Sequence, residues 1–299
     1  PETARLLQHW RTHSFSSIRP FFCQIEAVET AIWLTEVAPQ NPLGRRLWQY
    51  IRDANAAANP ELLRVALKLA TGTGKTTVMA MIIAWQTINA VRHPQSGKFT
   101  KGFLVVTPGI TIKDRLRVLK PNDPDSYFKT RELVPHEFMP DIEKARVVIT
   151  NYHAFKRREK VTISRGGRAL LKGQTGNDIQ SQESDGEMVK RVMPDLMGVK
   201  NIMVLNDEAH HCYRERPTEE DDAPLQGDEK DEADQKNEAA RLWLNGLAAV
   251  TRKIRIRTVL DLSATPFFLK GSGWPEGTLF PWTMSDFSLM DAIECGIVK

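Results

Sequence analysis

The apolar run VALKLA at residues 65–70 ends in the turn Thr71-Gly72-Thr73-Gly74-Lys75-Thr76-Thr77. It passes directly into a second apolar stretch, residues 75–91, of helical character. Few sequences dictate local geometry so strictly. Gly72 and Gly74 free the backbone to turn its N–H groups inward, and the dipole of the following helix adds positive potential at the same point. Such a turn cradles phosphate. Lys75 brings a point charge to the β and γ oxygens of a bound ATP, and the Thr76 hydroxyl is placed to ligate Mg²⁺. Thr71, Thr73 and Thr77 complete the ATP-binding loop. The sequence departs from the general pattern at Leu69, where glycine is usual six residues before the lysine.

The rest of the chain repeats the strand-then-helix alternation. Residues 103–107 (FLVVT), 147–150 (VVIT), 202–205 (IMVL) and 258–262 (TVLDL) are short apolar runs. Runs of this kind are strands buried on both faces, so the expected fold class is α/β, a parallel sheet flanked by helices. Residues 1–60 read as a helical N-terminal segment. Within it, residues 24–37 place Ile25, Val28, Ile32 and Val37 near one face, and residues 43–58 form a helix stopped before Pro60. Residues 112–119 are a further helix. One α/β domain is expected over residues 61–299, with insertions at about 160–200 and 213–238. The first is a surface insertion rich in Gly, Gln and Ser. The second is a solvated, partly disordered acidic loop running into a helix at about residues 238–250.

Composition narrows the class further. Of 299 residues, 41% are hydrophobic and 26% charged, which excludes a wholly disordered or collagen-like chain. No apolar run approaches the roughly 18–20 residues of a membrane helix. Pro1-Glu2-Thr3 is no secretory leader, and the missing initiator Met suggests a fragment or processed chain. Cys23, Cys212 and Cys295 are odd in number and far apart, so they read as small buried hydrophobes. A cytoplasmic location follows as the expectation. Residues 215–238 hold 11 acidic and 3 basic side chains, which leaves 38 basic against 26 acidic elsewhere, a body of +12. That excess is compatible with a nucleic-acid partner, because Lys and Arg replace the counterions of a phosphate backbone.

Two more strand ends carry chemistry. Ile202-Met203-Val204-Leu205 delivers Asp207 and Glu208, followed by Ala209 and His210, to the edge where open α/β sheets bind ligands. Asp207 is placed to hold Mg²⁺, and Glu208 to polarise the water that attacks a γ-phosphate. At the next strand end, Leu262-Ser263-Ala264-Thr265-Pro266 offers hydroxyls to His210, so that Ser263 and Thr265 would sense the phosphate site.

Taken in order, A-T-G-T-G-K-T, V-T-P-G, I-T-N-Y, D-E-A-H and S-A-T-P resemble the motif series of superfamily 2 helicases and translocases. The chain is most similar there to the ATPase part of the type III restriction enzyme R (Res) subunit. The resemblance spans Arg19 to Pro266, and the tail from Asp286 resembles that family's exit from its first motor domain. It implies a RecA-like motor domain. It implies that Gln24, in the segment Arg19-Pro20-Phe21-Phe22-Cys23-Gln24, reads adenine, with Arg19 nearby, and Phe21 or Phe22 either packs near the base or belongs to the core. Thr107, Pro108 and Gly109, with Thr150, Asn151 and Tyr152, match the motifs that touch a nucleic-acid backbone. Lys113, Arg115 and Arg117 either extend that track or form a solvated helix face.

The partners implied are duplex DNA, a second RecA-like domain, a nuclease domain and a methyltransferase specificity subunit. A membrane is not among them. The closing arginines of that second domain are not in this sequence, so the first domain alone is expected to hydrolyse ATP poorly. No D/E-x-K triplet lies close behind Pro194-Asp195, the triplets Asp228-Glu229-Lys230 and Asp234-Gln235-Lys236 fit only inside the acidic loop, and nuclease activity is expected only outside this chain. Two alternatives stay open on the sequence: a DEAH-type RNA helicase, and an ATP-gated binding switch without productive turnover.

Overall fold

A computed structural model of the chain describes residues 1–109, 112–159, 182–216 and 227–298. Among these residues six strands form one parallel sheet: β1 (Arg64–Leu69), β2 (Gly102–Thr107), β3 (Arg146–Asn151), β4 (Ile202–Asp207), β5 (Ile256–Ser263) and β6 (Thr283–Phe287). Their order is β3-β2-β4-β5-β1-β6. The five apolar runs are β1 to β5, and the α/β class is as expected. β6 has no apolar run. Thr283-Met284-Ser285-Asp286-Phe287 is an edge strand paired only with β1, and Phe287 alone is buried.

The principal helices are α1 (Glu2–Thr12), α2 (Phe22–Ile32), α3 (Pro42–Ala58), α4 (Lys75–Arg92), α5 (Asp185–Val192), α6 (Asp228–Ile254) and α7 (Leu289–Glu294). Side chains alternate across the sheet with period two. Phe103, Val105, Met203 and Leu205 face α1, α2 and α4, while Leu104, Val106, Ile202 and Val204 face α5 and α6. On α4 every residue from Thr77 to Asn89 is buried, which explains an apolar character that runs all round the helix. Leu6 and Trp10 of α1, Val28 of α2 and Ile51 of α3 belong to the same core as β1 and α4.

Several sequence expectations change. Residues 24–37 are α-helical only to Ile32 and continue as a π-helical turn, Trp33–Val37. Residues 112–119 divide into one α-turn, Ile112–Arg115, and a 3-10 turn, Leu116–Leu119. Of the first expected insertion, residues 160–181 lie outside the described residues. The remainder is no surface excursion, since Met188, Val189, Met193 and Leu196 are buried under the sheet. Of the second, residues 217–226 lie outside the described residues, and α6 begins at Asp228, about ten residues before the expected start. Asp228, Glu229 and Asp231 occupy its first turn, where the positive end of the helix dipole favours carboxylates. A Glu232–Lys236 pair at 2.6 Å supports the next turn. Cys23 and Cys212 are buried as expected, but Cys295 is exposed, because it follows the short edge helix α7.

A buried polar network lies beneath the C-terminal edge of the sheet. Arg64 and Asp261, both fully buried, form an ion pair at 2.8 Å. Asp261 also accepts hydrogen bonds from Trp282 Nε1 at 3.0 Å and Asn206 Nδ2 at 2.9 Å. The network thus ties β1, β4 and β5 together one residue before Asp207. No helix among the described residues is long and apolar enough to cross a membrane.

Candidate active site

In a parallel sheet every strand ends on the same edge, and the side chains singled out from sequence gather there. β1 delivers the Gly-rich loop. Gly72 at φ +86° and Gly74 at φ +81° take the left-handed conformation that glycine adopts without penalty, and Gly74 is the N-cap of α4. Thr73 is fully buried, and its hydroxyl donates to the Ala70 carbonyl at 2.7 Å, bracing the turn from inside. Thr71 and Gly72 are exposed, while Lys75 and Thr76 are half-buried.

β4 brings the acidic pair to this loop. Lys75 Nζ lies 2.9 Å from Glu208 Oε1. Glu208 sits at φ +51°, ψ +51°, a left-handed conformation that costs an L-residue roughly 1–2 kcal/mol. Asp207 is 9% exposed and forms no ion pair among the described residues. Burial, and then the Glu208 charge, push its carboxyl up to about 6, only partly offset by Lys75 and the Glu208 backbone N–H. A carboxylate buried without a paired cation, beside a phosphate loop and the Thr76 hydroxyl, is a donor set that fits Mg²⁺. That ion takes one or two protein ligands and completes its shell from phosphate and water.

His210 Nδ1 lies 2.9 Å from Ser263 Oγ, which also accepts the Thr265 backbone N–H at 3.1 Å. The contact from the β4 end to the β5 end is thus made by Ser263 alone, while the exposed Thr265 reaches only Ser263, through its backbone N–H. Burial, and then the neighbouring His211, pull His210 down to about 4. The imidazole is neutral at neutral pH, so its 3.6 Å approach to Glu208 is no charge pair there.

Gln24 lies against the phosphate loop in a more committed state than a free base reader. It is 3% exposed, its Nε2 donates to the Thr73 carbonyl at 2.7 Å, and its Oε1 accepts the Phe21 N–H at 3.0 Å. These two bonds use one of its two N–H donors and one of its two oxygen lone pairs, so one of each is left for a base. A Cβ on Gly74 would collide with the same amide, a second reason for glycine at that position. Arg19 is exposed and donates to the Arg11 carbonyl at the end of α1. Phe21 and Phe22 stay out of the core at 37% and 52% exposure, with Phe22 edge-on to Phe287 at 5.4 Å.

The segments matched to nucleic-acid motifs also meet, since Thr107 and Asn151 are partners across β2 and β3. Their side chains mostly shape turns. The Thr107 hydroxyl, on a buried residue, donates to the Gly109 carbonyl at 2.9 Å, and Thr150 donates to the Asn151 carbonyl at 3.3 Å. Asn151 accepts the Ala154 N–H at 3.2 Å, and Tyr152 stacks on Trp243 at 5.4 Å. Arg115 and Arg117 are exposed, Arg117 pairing with Asp125, while the Lys113 side chain lies outside the described residues.

One side chain at the loop belongs to no motif. Arg131 Nη1 donates to Thr77 Oγ1 at 2.8 Å and Nη2 to Tyr127 Oη at 2.9 Å, with the guanidinium 3.8 Å above the Tyr127 ring. Nothing local marks it, because its partner on α4 is 54 residues away.

Among known proteins, the family model of the type III restriction enzyme Res subunit matches residues 17–268. Among solved structures the chain is similar to that of T4 UvsW, at 11% identity and a TM-score of 0.35, covering 91% of this chain and 34% of that one. No curated protein matches the sequence. The match over residues 17–268 takes in the phosphate loop, the acidic pair and the Ser263 link, and with it the chain belongs to the type III restriction enzyme Res subunit family and is a helicase-type ATPase domain of superfamily 2.

Proposed function

We propose that this domain hydrolyses ATP to drive translocation along duplex DNA, as the first of two RecA-like motor domains in a restriction-type enzyme. The observation that carries the reading is the meeting of Lys75 and Glu208 at 2.9 Å, with Asp207 beside them and His210 linked to Ser263. In the nucleotide-free state Lys75 is held by Glu208. A β,γ-phosphate group arriving on the loop draws Lys75 to itself and releases Glu208. The freed carboxylate takes a proton from a water as its oxygen bonds to the γ-phosphorus and the bond to the ADP oxygen breaks. Thr76 and Asp207 would hold Mg²⁺, which would supply charge neutralisation to the bound phosphates.

The His210–Ser263 bond carries the change at β4 across to β5. Arginines that stabilise the transition state are assigned to the second motor domain, and site recognition to a methyltransferase subunit. Contacts at the β2 and β3 ends are to backbone, which suits movement without sequence preference. The test is ATP turnover with duplex DNA, single-stranded DNA and RNA, beside Lys75→Ala and Glu208→Gln. Stimulation by duplex DNA that both variants abolish is expected. Stimulation by RNA alone would make the protein an RNA helicase, and normal turnover by Glu208→Gln would refute the assignment of the water-activating group.

A further inference from the structure

We propose that Arg131 is a nucleotide-binding residue that contacts the α-phosphate, an assignment resting on the ATP site proposed above. A guanidinium carries five N–H donors, of which Thr77 and Tyr127 take one each, leaving three unused. Arg131 forms no ion pair with any described residue. Its neighbouring acid, Glu132, is turned away, accepting from Ser16 Oγ at 2.6 Å and lying 3.3 Å from His13 Nε2. A half-buried cation therefore stands on the first turn of α4, two residues past Lys75, where the helix dipole is already positive. Lys75 has Glu208 as its counter-ion but Arg131 has none among the described residues, and a phosphate chain on the loop supplies one.

The placement is built rather than incidental. The backbone around Arg131 is pinned from the N-terminal segment on both sides. Ser17 Oγ donates to the Thr130 carbonyl at 3.3 Å, His9 Nε2 lies 2.7 Å from the Glu132 carbonyl, and Trp10 Nε1 donates to the Leu133 carbonyl at 2.8 Å. Glu132 takes a left-handed φ of +49°, which sends its own side chain away from the loop while that of Arg131 points to it. The order of the phosphates follows from Lys75. Its ammonium leans toward Glu208, which sets the γ end on the β4 side. The loop N–H groups cradle the α- and β-phosphates, so the chain leaves past Thr76 and Thr77. There the free donors of Arg131 meet it.

The experiment is calorimetric titration of the full chain with MgATP, MgADP and magnesium tripolyphosphate, for wild type, Arg131→Ala, Arg131→Lys and Lys75→Ala. A charge-assisted hydrogen bond predicts that Arg131→Ala weakens all three ligands by roughly 10- to 100-fold. Arg131→Lys should recover part of the loss, and the melting temperature without ligand should hardly move. Unchanged affinities in Arg131→Ala would overturn the assignment. So would weaker ATP and ADP binding with tripolyphosphate unaffected, since the contact would then be to the nucleoside. Equal losses in Ala and Lys variants, with a lowered melting temperature, would make Arg131 a purely structural prop. Wild type binding none of the three, or Lys75→Ala binding them normally, would refute the ATP-site reading and this assignment with it.

Discussion

Asp207→Asn should stabilise the protein while disabling it. Burial and the Glu208 charge raise the Asp207 carboxyl from 3.8 to about 6. Between those values the native state binds more protons than the unfolded chain, so stability falls as pH rises through that window. Above pH 6 the full penalty applies. At about 1.4 kcal/mol per pKa unit it amounts to about 3 kcal/mol. Asparagine keeps the shape but no charge, and its buried amide needs a partner, so the expected gain near pH 7.5 is about 1–3 kcal/mol. The assay is urea unfolding of wild type and variant from pH 4 to 8, with a chelator present and no nucleotide. His210 titrates alike in both proteins, so the difference isolates Asp207. It should be small near pH 4 and largest above pH 6. A variant no more stable than wild type at pH 7.5, or a difference constant with pH, would refute the reasoning. Added MgATP should then reverse the ranking, because only wild type retains the carboxylate that fits the ion.

Other expectations are as direct. Asp261→Asn leaves Arg64 charged and buried without its counter-ion, which should cost about 3–5 kcal/mol in denaturant unfolding; a loss under about 1 kcal/mol would show that the pair is dispensable. Gly246→Ala on α6 drives a Cβ into the Phe155 ring and should lower stability by about 1–3 kcal/mol, read as a fall in melting temperature. Glu208→Gln removes the carboxylate that holds Lys75, so ATP should bind severalfold more tightly while turnover is lost. Weaker ATP binding in that variant would mean that the ion pair supports the loop instead of competing with phosphate.

Much of this site was legible before any coordinates, and the reason is locality. Gly72, Gly74, Lys75 and Thr76 act through the turn they form, and that turn is written in consecutive residues. Strands β1 to β5 were legible as apolar runs, because a strand buried on both faces carries its burial in its own composition. Asp207 and Glu208 followed because they end such a strand. The helix start at Asp228 was missed for the opposite reason: eleven acidic residues read as solvated chain, though three of them occupy the first turn of a helix whose buried stripe begins later.

What tertiary structure decided lies between segments that know nothing of each other in sequence. β6 exists because β1 offers an open edge, not because its residues are apolar. Asp261, within an ordinary-looking TVLDL strand, became the hub of a buried network only when β5 came beside β1 and β4. Gln24 was expected at the nucleotide, and packing against the Thr73 carbonyl determined that its amide is already engaged. Arg131 acquired its place on α4 from hydrogen bonds to a helix more than a hundred residues earlier in the chain. The sequence by itself determined the fold class and the phosphate loop, because backbone geometry and periodic burial are set by neighbours along the chain. The partners of each buried or charged side chain were left to the fold, because burial and Coulomb energies depend on what arrives from elsewhere in space.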